Sequence, residues 1–111
     1  MQPFDIFTAG FLWKGCNDMR PWLVVEHAPT GGINCFPISG QDYGQHAFRL
    51  DQSDPDFPAT GLSKTCYIHD ERLYCLPAAS FQSRRGFLKG ALLVRFLEAA
   101  GLEHLGPSGG A

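Results

Sequence analysis

Long apolar runs are missing from this 111-residue chain. No stretch approaches the roughly 18 consecutive apolar residues of a membrane-spanning helix, so no membrane role is expected. Met1-Gln2-Pro3-Phe4-Asp5 lacks a basic region leading into an apolar stretch, so no secretory signal is read and the expected location is the cytoplasm. A basic surplus is also missing. Nine Lys+Arg stand against 11 Asp+Glu, for a net charge of −2 and a pI near 6.0. Bulk electrostatics therefore does not hold the chain to a polyanion, and any such partner must find a local basic patch. No C-x-x-C pair occurs, which excludes zinc ribbons and dithiol redox motifs. Cys16, Cys35, Cys66 and Cys75 read as reduced, small hydrophobes. P-loop, dinucleotide, H-E-x-x-H and G-x-S-x-G motifs are absent as well.

What is present is a core-forming composition: 44% hydrophobic, 13% aromatic and 18% charged residues, unlike a disordered chain. The length suits one domain, expected over 1–104, followed by a flexible tail over 105–111. Up to Pro77 acids outnumber bases, whereas Arg84, Arg85, Lys89 and Arg95 follow it against only Glu98 and Glu103.

Turn signals divide the chain into short strands. Phe4–Trp13 is apolar and aromatic, with Gly10 as a bulge or close-approach point. The nearly continuous run Pro21–Val25 predicts a strand buried on both faces. Ile33–Ser39 follows the Pro29-Thr30-Gly31-Gly32 turn, and Ala47–Leu50 alternates as a half-exposed strand does. The prolines and acids of Asp51–Pro58 make a loop. Lys64–Ile68 and Leu73–Leu76 flank a turn at His69–Arg72. Six short strands predict a small barrel or sandwich. Leu88, Leu92 and Phe96, with Leu93, Leu97 and Ala100, mark an amphipathic helix of about four turns, ended by Gly101 as its cap. Gly90 lowers helix propensity within it. The class is α+β, mostly β, closed by one helix.

Three places carry chemistry. Arg20, just before a buried strand, offers the forked guanidinium suited to phosphate, or a plain surface ion pair. Ser39 ends a strand as the chain enters a glycine-containing loop, where it can equally be a turn former. His69-Asp70-Glu71-Arg72 offers a base, acids and a cation, or a solvated turn. His27 and His46 are isolated. Cys35 with His46 is a conceivable nucleophile pair that nothing in the spacing favours.

In their order along the chain these fragments resemble the PemK/MazF family of toxin ribonucleases. Phe11-Leu12-Trp13, a polar loop and Met19-Arg20-Pro21-Trp22-Leu23-Val24-Val25 match the first landmark. Pro37-Ile38-Ser39 matches the second. Gly61-Leu62-Ser63-Lys64-Thr65-Cys66-Tyr67-Ile68, the His69–Arg72 turn and Leu73–Leu76 match the third, and Gly86 and Leu88–Ala100 complete the series. The resemblance runs over residues 4–101. Cys66 stands where the family has a hydroxyl, and neither Asp18 nor Met19 supplies its basic residue, although Lys14 is near.

The resemblance implies a small SH3-like (CcdB/PemK-type) barrel with a C-terminal helix, assembled as a homodimer. It implies cleavage of single-stranded RNA at short sequence sites without a cofactor or metal, and inhibition by a cognate antitoxin laid across the RNA groove. Arg20 and Ser39 match the family's catalytic arginine and hydroxyl. His69 and Glu71 align with an arginine and an aspartate used by some members. The chemistry is consistent with those residue types. RNA carries its own 2′-OH nucleophile, so the protein must stabilise a phosphorane and move protons. Arg20 suits the first task but not the second, because its pKa exceeds about 12. Ser39 can hold the phosphate or the 2′-OH, while His69 and Glu71 are the proton carriers. Trp13, Lys14, Tyr43 and Lys64 are expected to bind RNA, and Trp13, Tyr43 and Phe48 offer stacking faces. Two alternatives use the same fold: a non-cleaving module for RNA or a protein, and a toxin that poisons a topoisomerase. The latter class relies on aromatic residues at the helix end, where this chain has Glu98-Ala99-Ala100-Gly101-Leu102.

Overall fold

Strand-forming runs separated by turns give a single antiparallel sheet. The computed structural model describes residues 1–10, 19–41 and 47–105. Its strands are β1 (Asp5–Gly10), β2 (Met19–His27), β3 (Ile33–Ser39), β4 (Phe48–Leu50), β5 (Cys66–Ile68), β6 (Tyr74–Leu76) and β7 (Phe81–Phe87), followed by the helix α1 (Gly90–Ala100). The sheet order is β4-β5-β3-β2-β1-β7. β6 pairs with Ile33–Cys35, the first half of β3, and β5 takes over at Ile38 and Ser39. Ile33–Ser39 is thus the hub, with β2 along its other edge.

Burial on both faces of β2 is as expected: Trp22, Leu23 and Val24 have no exposure, and Val25 has 2%. Alternation divides the side chains of β2 and β3 between two apolar clusters. Leu23, Val25, Phe36 and Ile38 join the main core, into which α1 sends Leu92, Leu93, Phe96 and Leu97. Trp22 and Cys35 join Ala9 and Leu76 in a smaller cluster on the opposite face, flanked by Tyr74 and Phe81. Each large apolar side chain buried in this way contributes about 1.5–3 kcal/mol. The helix covers one face of the sheet, and the smaller cluster occupies part of the other.

Three details depart from the sequence expectation. The barrel is not closed: among the described residues no pairing joins β4 to β7. The described residues form seven strands rather than six, because Phe81–Phe87 extends along β1. This strand escapes an apolar pattern, since its residues 82–85 are exposed and only Gly86 is buried. The helix is also shorter than Leu88–Ala100. Leu88 lies before it, its N–H donating to the Phe4 carbonyl at 2.9 Å. Gly90 opens the helix with φ 62°, and a Cβ there would lie 2.6 Å from an Asp56 carboxylate oxygen. Glycine at this position is a requirement of the entry into the helix rather than a defect within it. Gly101 ends the helix in the left-handed conformation, φ 72°, as expected of a cap. Within Asp51–Pro58, the end of the loop forms a short 3-10 turn, Phe57–Thr60, that buries Phe57.

Candidate active site

Beside the smaller cluster, the face of the sheet opposite α1 collects residues that alternate with core side chains. Ser39 follows the core residue Ile38, and Tyr67 and His69 flank the core residue Ile68, so all three face away from α1. Ser39 is the last residue of β3 and stands opposite Tyr67 on β5. His69 follows β5 directly and is held by its own N–H, which donates to the Pro37 carbonyl at 2.9 Å. The result is a contact across 30 residues of sequence: Ser39 Oγ lies 2.8 Å from His69 Nε2.

The rest of the bonding defines this pair further. Ser39 Oγ also reaches the Gln41 carbonyl at 3.0 Å and accepts from the Gln41 N–H at 3.3 Å. Its single proton serves either the carbonyl or the imidazole. With the proton on the carbonyl, Nε2–H donates to Oγ; otherwise Nε2 accepts. His69 is only 2% exposed, whereas Ser39 is half-buried. A molecule on this face therefore meets the hydroxyl, with the imidazole behind it. The expected solvated turn begins only after this histidine.

Arg20 sits on β2, paired with Ala9 of β1. The last β2–β3 pair is Trp22 with Pro37. Arg20 precedes it by two residues and Ser39 follows it by two, so the antiparallel count sets Arg20 across from Ser39. Arg20 alternates with core residues as Trp22 does, and its Nε is shielded from solvent. Lys64 reaches the same end of β3: a Cβ on Gly40 would lie 3.5 Å from its Nζ. Glu71, two residues past His69, is exposed and makes no hydrogen bond or ion pair among the described residues. Trp13, Lys14, Tyr43 and His46 lie outside the described residues.

The structure removes the cysteine alternative. Cys35 is fully buried, and burial, with Cys75 adding to it, pushes its thiol up to about 12. Such a thiol stays protonated and out of reach, the opposite of a reactive thiolate. Cys35, Cys66 and Cys75 are free, and Cys16 lies outside the described residues. No group of three or more metal-ligating side chains occurs among the described residues, and no helix there is long and apolar enough to cross a membrane. A shallow pocket of about 150 Å³ is lined by Ala47, Phe48, Asp70 and, from α1, Ala99.

Sequence reasoning named Arg20, Ser39, His69 and Lys64 but missed Tyr67 and Arg49, which continue the same row across β5 and β4. Their alternation with Cys66, Ile68, Phe48 and Leu50 was the available signal.

The sequence matches no protein-family model and no curated protein. Solved structures do match. The Mycobacterium tuberculosis toxin MazF-mt6 superposes with a TM-score of 0.65 at 16% identity, over 87% of this chain and 92% of that one. An endoribonuclease in complex with its cognate antitoxin, from a mycobacterial species, gives 0.65 at 11% identity over 93% of each chain. The open antiparallel sheet with its terminal helix is the fold of the MazF/PemK toxins.

Proposed function

We propose that the protein is an endoribonuclease toxin that cuts single-stranded mRNA at short sequence sites, without a metal ion, and is neutralised by a cognate antitoxin. The carrying observation is the 2.8 Å contact between Ser39 Oγ and His69 Nε2 on the face that also presents Arg20. Toxin and endoribonuclease neighbours of the same fold support the class.

In this mechanism the 2′-oxygen attacks the adjacent phosphorus, forming the P–O2′ bond as the P–O5′ bond breaks. Arg20 faces the negative charge that accumulates on the phosphorane, the placement from which preorganised cations contribute most. Ser39 holds the 2′-OH and passes its proton to His69 Nε2, whose burial keeps the imidazole from direct contact with RNA. The leaving 5′-oxygen takes a proton from solvent, relayed by the exposed Glu71. Products are a 2′,3′-cyclic phosphate and a 5′-OH. The acting unit is a homodimer, and an antitoxin segment competes with RNA for that face.

The test is incubation of purified protein with a long single-stranded RNA in EDTA, followed by analysis of the ends. Cuts at a short recurring site with 5′-OH and cyclic phosphate termini are expected. Intact RNA in the presence of folded protein would replace this reading with that of a non-cleaving binding module.

A further inference from the structure

Beyond the cutting residues, the pairing registers set up a longer feature. Ser39 stands opposite Tyr67, and Tyr67 opposite Arg49 on β4. With Arg20 at the other end, one row crosses four neighbouring strands: Arg20, Ser39, Tyr67, Arg49. Lys64 flanks it at Gly40. Three strand spacings of about 4.8 Å make the row about 14 Å long, enough for at most about four stacked nucleotides at about 3.4 Å each. Phe48 and Leu50 turn to the other side of β4, so Arg49 points out of the same face as Tyr67.

Glu71 is left to the cutting end, and the acids of the Asp51–Asp56 segment are turned away or already engaged. Asp54 bonds Arg95 on α1, and Asp56 accepts from the Leu92 N–H, both on the helix side. Asp51 pairs with Arg49 at 3.3 Å, with side chains 43% and 61% exposed. Exposed pairs of this kind hold weakly. Asp51 also accepts from the Ser53 N–H at 2.9 Å and the Ser53 hydroxyl at 2.8 Å, so it keeps partners when the guanidinium swings to a phosphate.

We propose that this row is a track for single-stranded RNA, with one base stacked on Tyr67 and a phosphate beyond it on Arg49. Cations at both ends and a half-buried aromatic ring between them are the combination that holds single strands: charge follows the backbone and the ring takes a base of any identity. The track rests on the ribonuclease reading only for the position of the cut, at its Arg20–Ser39 end.

The experiment measures binding of a fluorescein-labelled 20-nucleotide RNA with 2′-O-methyl riboses, which cannot be cut by internal attack. Wild type, Tyr67→Leu, Tyr67→Phe and Arg49→Gln are compared at several salt concentrations, with thermal melting as the check on folding. Tyr67→Leu should weaken binding about 10-fold and Tyr67→Phe by less than about 3-fold, because stacking survives with the ring. Arg49→Gln should weaken binding and lower the magnitude of the salt slope by about 0.7. If wild type leaves ordinary RNA intact while these effects appear, the track stands and the ribonuclease reading falls. If wild type cuts RNA and both Tyr67→Leu and Arg49→Gln bind it unchanged, the track is wrong and the ribonuclease reading stands. Unchanged RNA binding together with lost binding of a polyglutamate peptide would make the row a protein-binding surface and overturn the proposal.

Discussion

Replacing His69 by Gln tests whether the buried imidazole moves a proton or only supports Ser39. The structure gives the scale of both effects. Ser39 Oγ and His69 Nε2 are 2.8 Å apart, and the histidine is 2% exposed. Gln can place an amide near the Nε2 position, so the bond to Ser39 survives in part. The stability cost should be at most about 1–2 kcal/mol, the range for a strained or lost buried hydrogen bond. For a domain of this size that lowers the melting temperature by about 4–10 °C. The amide cannot take a proton. Single-turnover cleavage should therefore fall about 10²–10⁴-fold, and the limb of the pH–rate profile belonging to the imidazole should disappear. Ser39→Ala should lose a comparable factor, and the double variant should be little slower than either single, since groups acting as one unit are not additive. His69→Gln retaining the wild-type rate and profile would refute proton transfer and leave His69 as a support for Ser39.

Other consequences concern the frame of the site. Gly61→Ala should destabilise the protein by about 2 kcal/mol or more, because φ is 71° there and a Cβ would lie 1.9 Å from the Arg85 carbonyl oxygen; thermal melting measures it. Phe96→Ala should cost about 3–5 kcal/mol in urea denaturation, since its unexposed ring meets the edges of Phe36 and Phe48 at 6.2 and 5.5 Å. Cys35 should make stability fall at alkaline pH: its folded thiol is pushed up to about 12 from an ordinary 9.0, so the unfolded chain ionises first. That contribution is intact below about 9 and is lost progressively as pH rises from there towards 12. The urea midpoint of wild type should drop more between these limits than that of Cys35→Ala.

What could be read from the sequence followed from local pattern. Ile33–Ser39 was delimited by the glycine turn before it and the polar loop after it, and it forms as expected. Gly101 was legible as a cap because a helix pattern stops there. β7 was not legible: Gln82, Ser83, Arg84 and Arg85 are held by pairing with β1 rather than by an apolar face. Asp5, buried beneath that strand, takes Arg84 at 3.1 Å, an attraction spanning 79 residues. The site shows the same division. Arg20, Ser39 and His69 could each be named from residue type and motif order. The burial of His69, and hence its action through Ser39, depends on β5 pairing with the end of β3 rather than with β6. Tyr67 and Arg49 were hidden for the same reason, because a row across a sheet exists only once strand order and register are fixed.

Arg20 carries the account's central claim, and its single-turnover rate on a mapped RNA site in EDTA is the most direct measurement. Arg20→Ala should cut about 10²–10³-fold more slowly, and Arg20→Lys should recover only part of that loss, since it restores charge without the fork. Cleavage by Arg20→Ala at the wild-type rate, from a folded protein, would contradict the account.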